Sequence, residues 1–218
     1  MPTIKPSQWT PETPESTTLA IIGQSFGHHT PRKAWSLKSD DDNEIRFELR
    51  KGERYQGQWA DSTSERCEVG QNVRIPIGQL TAVEFKLLIE PGGRFTAPWY
   101  TFGQLHAAVS GKSPPLSVVF RGSDRMKILA IGNAGEKEIY TDPQDVSRGH
   151  WYSMLLATTF KTSGTSTTTV IRDGIKIVEW TGQIGYSDQP STYWKQGIYR
   201  APAAETVIAR FKDLKIGL

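Results

Sequence analysis

The stretch Thr192-Tyr193-Trp194-Lys195-Gln196-Gly197-Ile198-Tyr199-Arg200 reads as a β-strand with two unlike faces. Successive side chains of a strand point to opposite sides. Trp194, Gln196, Ile198 and Arg200 therefore share one face, and Tyr193, Lys195, Gly197 and Tyr199 share the other. Trp194 and Ile198 anchor the first face in a core. The second face carries a lysine and two phenols around a residue without a side chain, which suits a polar ligand held close to the backbone.

The same two-residue period runs through the rest of the chain. Glu44-Ile45-Arg46-Phe47-Glu48-Leu49-Arg50 alternates strictly, with Ile45, Phe47 and Leu49 toward the core and Arg46, Glu48 and Arg50 away from it. Glu65-Arg66-Cys67-Glu68-Val69 repeats the pattern and puts Arg66 and Glu68 on one face. Further strands are predicted over 80–89, 102–109, 116–121, 126–131, 138–140, 151–160, 165–172, 175–180 and 206–216. Asp173-Gly174 is a two-residue hairpin turn of the kind that needs positive φ. No helix longer than a turn or two and no internal repeat is visible. Many short strands between Gly, Pro, Asp and Ser turns imply an all-β sandwich or jelly roll. Several strands bear Arg, Gln, His, Lys or Tyr on the non-core face, so a concave polar sheet face is the expected site. Residues 1–18, rich in Pro, Thr, Ser and Glu, read as an extended arm, and 19–218 as a single domain.

Composition narrows the function classes. The 218 residues carry 26 Lys and Arg against 23 Asp and Glu, a net charge of +3. That balance lacks the dense basic stripe of a nucleic-acid binder, but clustered charges would still favour an anionic ligand. Cys67 is the one cysteine, which rules out an intrachain disulfide or a cysteine zinc cluster and reads as a buried thiol. No run is long and apolar enough for a transmembrane helix, and Met1 to Pro6 lacks the apolar core of a secretory signal. His28-His29 reads as a surface pair in a polar loop. Asp40-Asp41-Asp42-Asn43 reads as a solvated acidic turn, with calcium ligation as the alternative. Trp59, Trp99 and Tyr100 fall in loops from which they could stack on sugar rings.

Three segments, in order, resemble one family. Glu65-Arg66-Cys67-Glu68-Val69 resembles an Arg-Ser/Thr-Glu-Leu motif, with Cys67 and Val69 as departures. Gln104-Leu105-His106 matches Gln-x-His, and Tyr193-Trp194-Lys195-Gln196-Gly197-Ile198-Tyr199 resembles Tyr-Phe-Lys-x-Gly-x-Tyr. Together they are similar to the β-jelly-roll polysaccharide lyases, the relatives of alginate lyase, heparin lyase I and glucuronan lyase. The resemblance covers roughly residues 44–218 and implies a concanavalin A-like two-sheet jelly roll with a concave groove.

It also implies β-elimination on a uronic-acid polymer such as glucuronan, alginate or a bacterial exopolysaccharide. In that chemistry a carboxylate must be neutralised while the C5 proton leaves. The resemblance assigns Arg66 and Gln104 to the carboxylate, and His106 and Tyr199 to proton transfer, with Tyr199 able to act as both base and acid. Arg50 is the alternative carboxylate-binding arginine. Lys195, Arg46, Glu68 and Tyr193 complete the expected substrate-binding set. No metal or organic cofactor is implied. The expected partner is an anionic polysaccharide, not nucleic acid or membrane, bound by a monomer. Such a substrate implies a secreted or periplasmic enzyme, although the chain shows no signal peptide.

Two other classes fit less of the sequence. A noncatalytic carbohydrate-binding module or lectin would use the aromatics and arginines without needing Gln104, His106 and Tyr199 together. A retaining glycoside hydrolase needs two carboxylates close together on one face, and no Glu-x-Asp-x-x-Glu pattern occurs.

Overall fold

The computed structural model describes residues 2–58 and 60–217; Trp59, expected among the sugar-stacking aromatics, lies outside the described residues. Among those residues the chain forms seventeen strands and a single 3₁₀ turn, Pro6–Gln8. The strands are β1 (Thr3–Ile4), β2 (Thr18–Ile21), β3 (Gln24–His29), β4 (Leu37–Lys38), β5 (Ile45–Leu49) and β6 (Glu65–Gln71). The middle of the chain supplies β7 (Ile75–Pro76), β8 (Leu80–Ile89), β9 (Tyr100–Ala107), β10 (Leu116–Phe120), β11 (Met126–Gly132) and β12 (Gly135–Thr141). The last five are β13 (Trp151–Thr159), β14 (Ser166–Arg172), β15 (Ile175–Gly182), β16 (Ser191–Arg200) and β17 (Val207–Gly217).

They build two sheets. A ten-stranded sheet runs β1-β2-β3-β6-β16-β9-β10-β11-β12, with β7 pairing on β16, and a seven-stranded sheet runs β15-β14-β13-β8-β17-β5-β4. Neighbours in space come from distant parts of the chain, as a two-sheet jelly roll requires. All ladders are antiparallel except β1 with β2. The Asp173-Gly174 turn joins β14 to β15 with φ of 51° and 78°, the left-handed pair that a two-residue hairpin demands.

The core lies between the sheets, filled by the inward half of each alternating strand. Its centre is an aromatic seam crossing from one sheet to the other. Trp194 of β16 packs on Phe85 of β8 with ring centroids 5.0 Å apart, Phe85 on Phe211 at 5.9 Å, and Phe211 on Phe47 at 5.8 Å. Burying side chains of this size contributes about 1.5–3 kcal/mol each, so the seam fixes the spacing of the sheets. Trp194 fits because β9 places Gly103 beside its ring; a Cβ there would stand 2.6 Å from the indole.

The N-terminal stretch expected as an extended arm is laid against this sandwich. Thr3 and Ile4 pair with Thr18 and Leu19, and Trp9 is buried in the core. His28-His29 is corrected from a surface loop to the end of β3. Phe26 and His28 are buried, His28 against the Pro14 carbonyl at 3.2 Å, while His29 faces the other way. Tyr100 is likewise no sugar platform: it is fully buried, its hydroxyl accepting the Ala97 N–H at 3.1 Å. Asp40 to Asn43 form a turn in which the Asp41 carboxylate accepts the backbone N–H groups of Asn43 and Glu44, at 3.1 and 2.8 Å.

Candidate active site

Four adjacent strands of the ten-stranded sheet bring polar side chains to its open face. On β6 these are Arg66 and Glu68, on β16 Tyr193, Lys195 and Tyr199, on β9 Gln104 and His106, and on β3 His29. Register fixes their neighbours. Tyr199 lies opposite Arg66, Lys195 opposite both Gly70 and Gln104, Tyr193 opposite His106, and His29 opposite Glu68. Gly197 sits opposite Glu68 with φ of 137°. A Cβ there would lie 2.4 Å from the Cys67 carbonyl oxygen and 2.5 Å from the Glu68 Cα. The glycine is therefore demanded by the close approach of β6, not by a ligand on the open face. Behind it the Cys67 thiol is buried and donates to the Ser36 carbonyl at 2.9 Å.

Glu68 is the hub. Its carboxylate, 1% exposed, accepts from Arg66 Nη1 at 2.8 Å and from Gln104 Nε2 at 2.9 Å, and it forms an ion pair with Lys195. Burial alone would push the Glu68 carboxyl up; Lys195 and Arg66 outweigh it and hold it at about 2. Lys195 is itself buried, which lowers its ammonium, and Glu68 offsets part of that loss. Arg66 is held on its other edge by Asp61, whose carboxylate takes Nε and Nη2 at 2.8 and 2.9 Å. Burial opposes its charge, and Glu68 with Asp61 more than restores it. Of the five guanidinium N–H groups, two remain for a ligand, as does one N–H of the Gln104 amide.

His106 and Tyr199 flank this hub on opposite sides. The His106 Nδ1 lies 2.7 Å from the Ala107 carbonyl, which can only accept, so Nδ1 carries the proton and Nε2 keeps its lone pair. Burial, reinforced by Lys195, lowers the imidazole to about 4 and leaves it neutral at pH 7. Its ring leans on Tyr193 at 5.3 Å, and the guanidinium of Arg74 covers the Tyr193 ring at 3.9 Å. Tyr199 lies under Arg66 at 4.0 Å, with Trp99 edge-on at 4.8 Å and its hydroxyl donating to Ser64 Oγ at 3.3 Å. Tyr193, opposite His106, and Tyr199, opposite Arg66, share one face of β16, so the two proton-transfer candidates approach a ligand from opposite ends of the hub.

The arginines of β5 are not part of this face. Arg46 and Arg50 lie on the outside of the seven-stranded sheet, where both bind Glu48, at 2.7 and 2.6 Å. Arg46 and Arg210 also share Glu90, Arg210 reaches Glu44, and Arg50 stacks on Trp35 at 3.7 Å. The expectation that Arg46 and Arg50 contact the same ligand as Arg66 is thus corrected: alternation put them off the core, but on the other sheet. Three residues of the face were not anticipated. His29, lowered by burial and by Lys195 to about 3, adjoins Glu68; Asp61 and Arg74 come from loops. Alternation from Phe26 would have found His29, whereas nothing local marks Asp61 or Arg74. Among the described residues no group of three or more His, Cys, Asp or Glu side chains is placed to hold a metal ion.

The sequence matches the family model described as "Polysaccharide lyase" over residues 7–213. The chain belongs to the polysaccharide lyase family. No curated protein matches it in sequence, but solved structures share the fold of this family member. The endo-β-1,4-glucuronan lyase of the fungus Trichoderma reesei aligns with a TM-score of 0.64 at 13% identity, over 88% of this chain and 87% of that one. Alginate lyase PA1167 of Pseudomonas aeruginosa gives 0.59 at 19% identity, over 85% and 86%. Alginate lyase AlgAT5, of polysaccharide lyase family 7, gives 0.59 at 14%, over 85% and 83%. These likenesses establish the jelly roll, and the family match establishes the enzyme as a polysaccharide lyase.

Proposed function

We propose that this lyase cleaves a uronic-acid polysaccharide, of the glucuronan, alginate or glucuronate-bearing exopolysaccharide kind, by β-elimination. The observation that carries the reading is the pinned neutral histidine beside a hub with hydrogen-bond donors to spare. His106 Nε2 takes the C5 proton; the electron pair forms the C4–C5 double bond; the C4–O4 bond breaks, and the departing oxygen receives the Tyr199 phenol proton. The free N–H groups of Arg66 and Gln104 donate to the substrate carboxylate, whose growing negative charge they stabilise. Lys195 and Glu68 hold those donors in place. On sugars whose C5 proton and O4 share a face, Tyr199 can serve both roles, and His106 then only orients the ring.

The test is ultraviolet absorbance of unsaturated uronate, followed on a panel of polyuronates. The expected result is a product on at least one polymer, and the loss of about two orders of magnitude or more in rate in Tyr199→Phe and His106→Ala, each still folded by circular dichroism. Binding to the same polymers without any new absorbance would favour a noncatalytic carbohydrate-binding module instead.

A further inference from the structure

The centre of the groove is electrically balanced. Arg66 and Lys195 bring two positive charges, and Glu68 and Asp61 bring two negative ones. His29 and His106, both lowered by burial, add none at pH 7. A carboxylate arriving there finds hydrogen-bond donors but no net charge to draw it in.

An uncompensated cation stands to one side. Arg74, in the turn between β6 and β7, is exposed and pairs with no carboxylate among the described residues. It is nevertheless fixed. Its guanidinium lies 3.9 Å from the Tyr193 ring centre, and Nη1 donates to the Gln71 carbonyl at 2.7 Å. Tyr193 is held in turn by the His106 ring at 5.3 Å. Ordering a long side chain costs up to about 2 kcal/mol, against about 0.5–1 kcal/mol from an exposed cation–π contact. A surface arginine satisfied by a carboxylate would need no such seat. The row of Tyr193 and His106 lies two strand positions, about 6.6 Å, beyond the row of Lys195 and Gln104. That step is comparable with one 1,4-linked sugar unit.

We propose that Arg74 binds the carboxylate of the sugar next to the one cleaved, on the His106 side, and so selects polymers with uronates at consecutive positions. The inference rests on the lyase reading for the place of the cleaved sugar, but not for the existence of the carboxylate site. Charge-assisted hydrogen bonding of a guanidinium to a carboxylate supplies the selectivity. A neutral sugar at that position would leave Arg74 without its partner.

The experiment compares Arg74→Gln and Arg74→Lys with the unaltered enzyme. On a homopolymeric polyuronate at low salt, Arg74→Gln is expected to raise KM roughly tenfold with kcat unchanged, and Arg74→Lys to recover part of the loss. The rise of KM with salt should flatten in Arg74→Gln, because an exposed charge is what salt screens. On a polymer whose uronates alternate with neutral sugars, enzyme and variant should have the same KM. An unchanged KM on the homopolymer, or an equal loss on both polymers, overturns the proposal. Native-gel retardation in polyuronate against a neutral β-1,4-glucan reads the site without catalysis. Weaker retardation of Arg74→Gln in the polyuronate gel alone supports the carboxylate site even should no unsaturated product form; equal retardation of variant and enzyme sinks it.

Discussion

Gly197 shows how one residue without a side chain sets the site. Its φ of 137° and the 2.4 Å approach of a notional Cβ to the Cys67 oxygen leave no room for alanine. Gly197→Ala should destabilise the fold by at least about 3 kcal/mol, as backbone strain and overpacking combine, with the loss read as a lower denaturation midpoint. Activity should fall with it, because Glu68 lies on the strand that must move. The sequence marked this glycine but not the reason for it; the neighbour that excludes a Cβ is a backbone atom of another strand. Glu68 was similarly visible as a groove residue. Its role in joining Arg66, Lys195 and Gln104 depends on three strands meeting, which no local pattern encodes.

At the scale of strands, alternation sorts core from open face wherever a strand is regular, but it does not say which sheet a strand joins or where a bulge falls. β5 is a clear case. Arg46, Glu48 and Arg50 do face away from the core, yet β5 pairs with β4 and β17 in the opposite sheet. Arg50→Ala should therefore leave KM on polyuronates unaltered, whereas Arg66→Ala should remove activity; the reverse result would restore Arg50 as the carboxylate ligand. β9 is the second case. Its register shifts against β10 and β16 near Gly103, so Phe102 and Gly103 both lie toward the core. Simple counting from Gln104 would carry Phe102 and Tyr100 onto the open face. The bulge re-aims them, as bulges beside active sites do.

For the molecule as a whole, the groove groups that titrate on the acid side, His29, His106 and Glu68, pull in one direction. His106 and His29 sit at about 4 and about 3 against 6.5 when free, and Glu68 at about 2 against 4.5. Above pH 6.5 the histidines are neutral whether folded or not and contribute nothing to pH dependence. As pH falls below 6.5 the unfolded chain takes up protons that the native imidazoles refuse, so stability declines. For His106 the drop from 6.5 to about 4 corresponds to about 3 kcal/mol. The ionised Glu68 adds stability above pH 4.5 that is lost as pH falls toward 2. Denaturant midpoints should thus fall steeply between pH 6.5 and 3, and the acid limb of kcat/KM should lie near pH 4 rather than 6.5. A limb at 6.5 would show an imidazole in open water.

Cys67 gives this architecture a reporter of its own. It is the single thiol of the chain, wholly covered, and it lies between Arg66 and Glu68 on β6. Burial also raises the thiol well above its ordinary range, which withholds the reactive thiolate. A thiol reagent can therefore reach it only when β6 parts from its neighbours. Where reclosing outruns modification, the rate of labelling measures the free energy of that opening. One chemical rate, taken with and without a polyuronate, then reports how tightly substrate binding locks the strand that carries the carboxylate machinery.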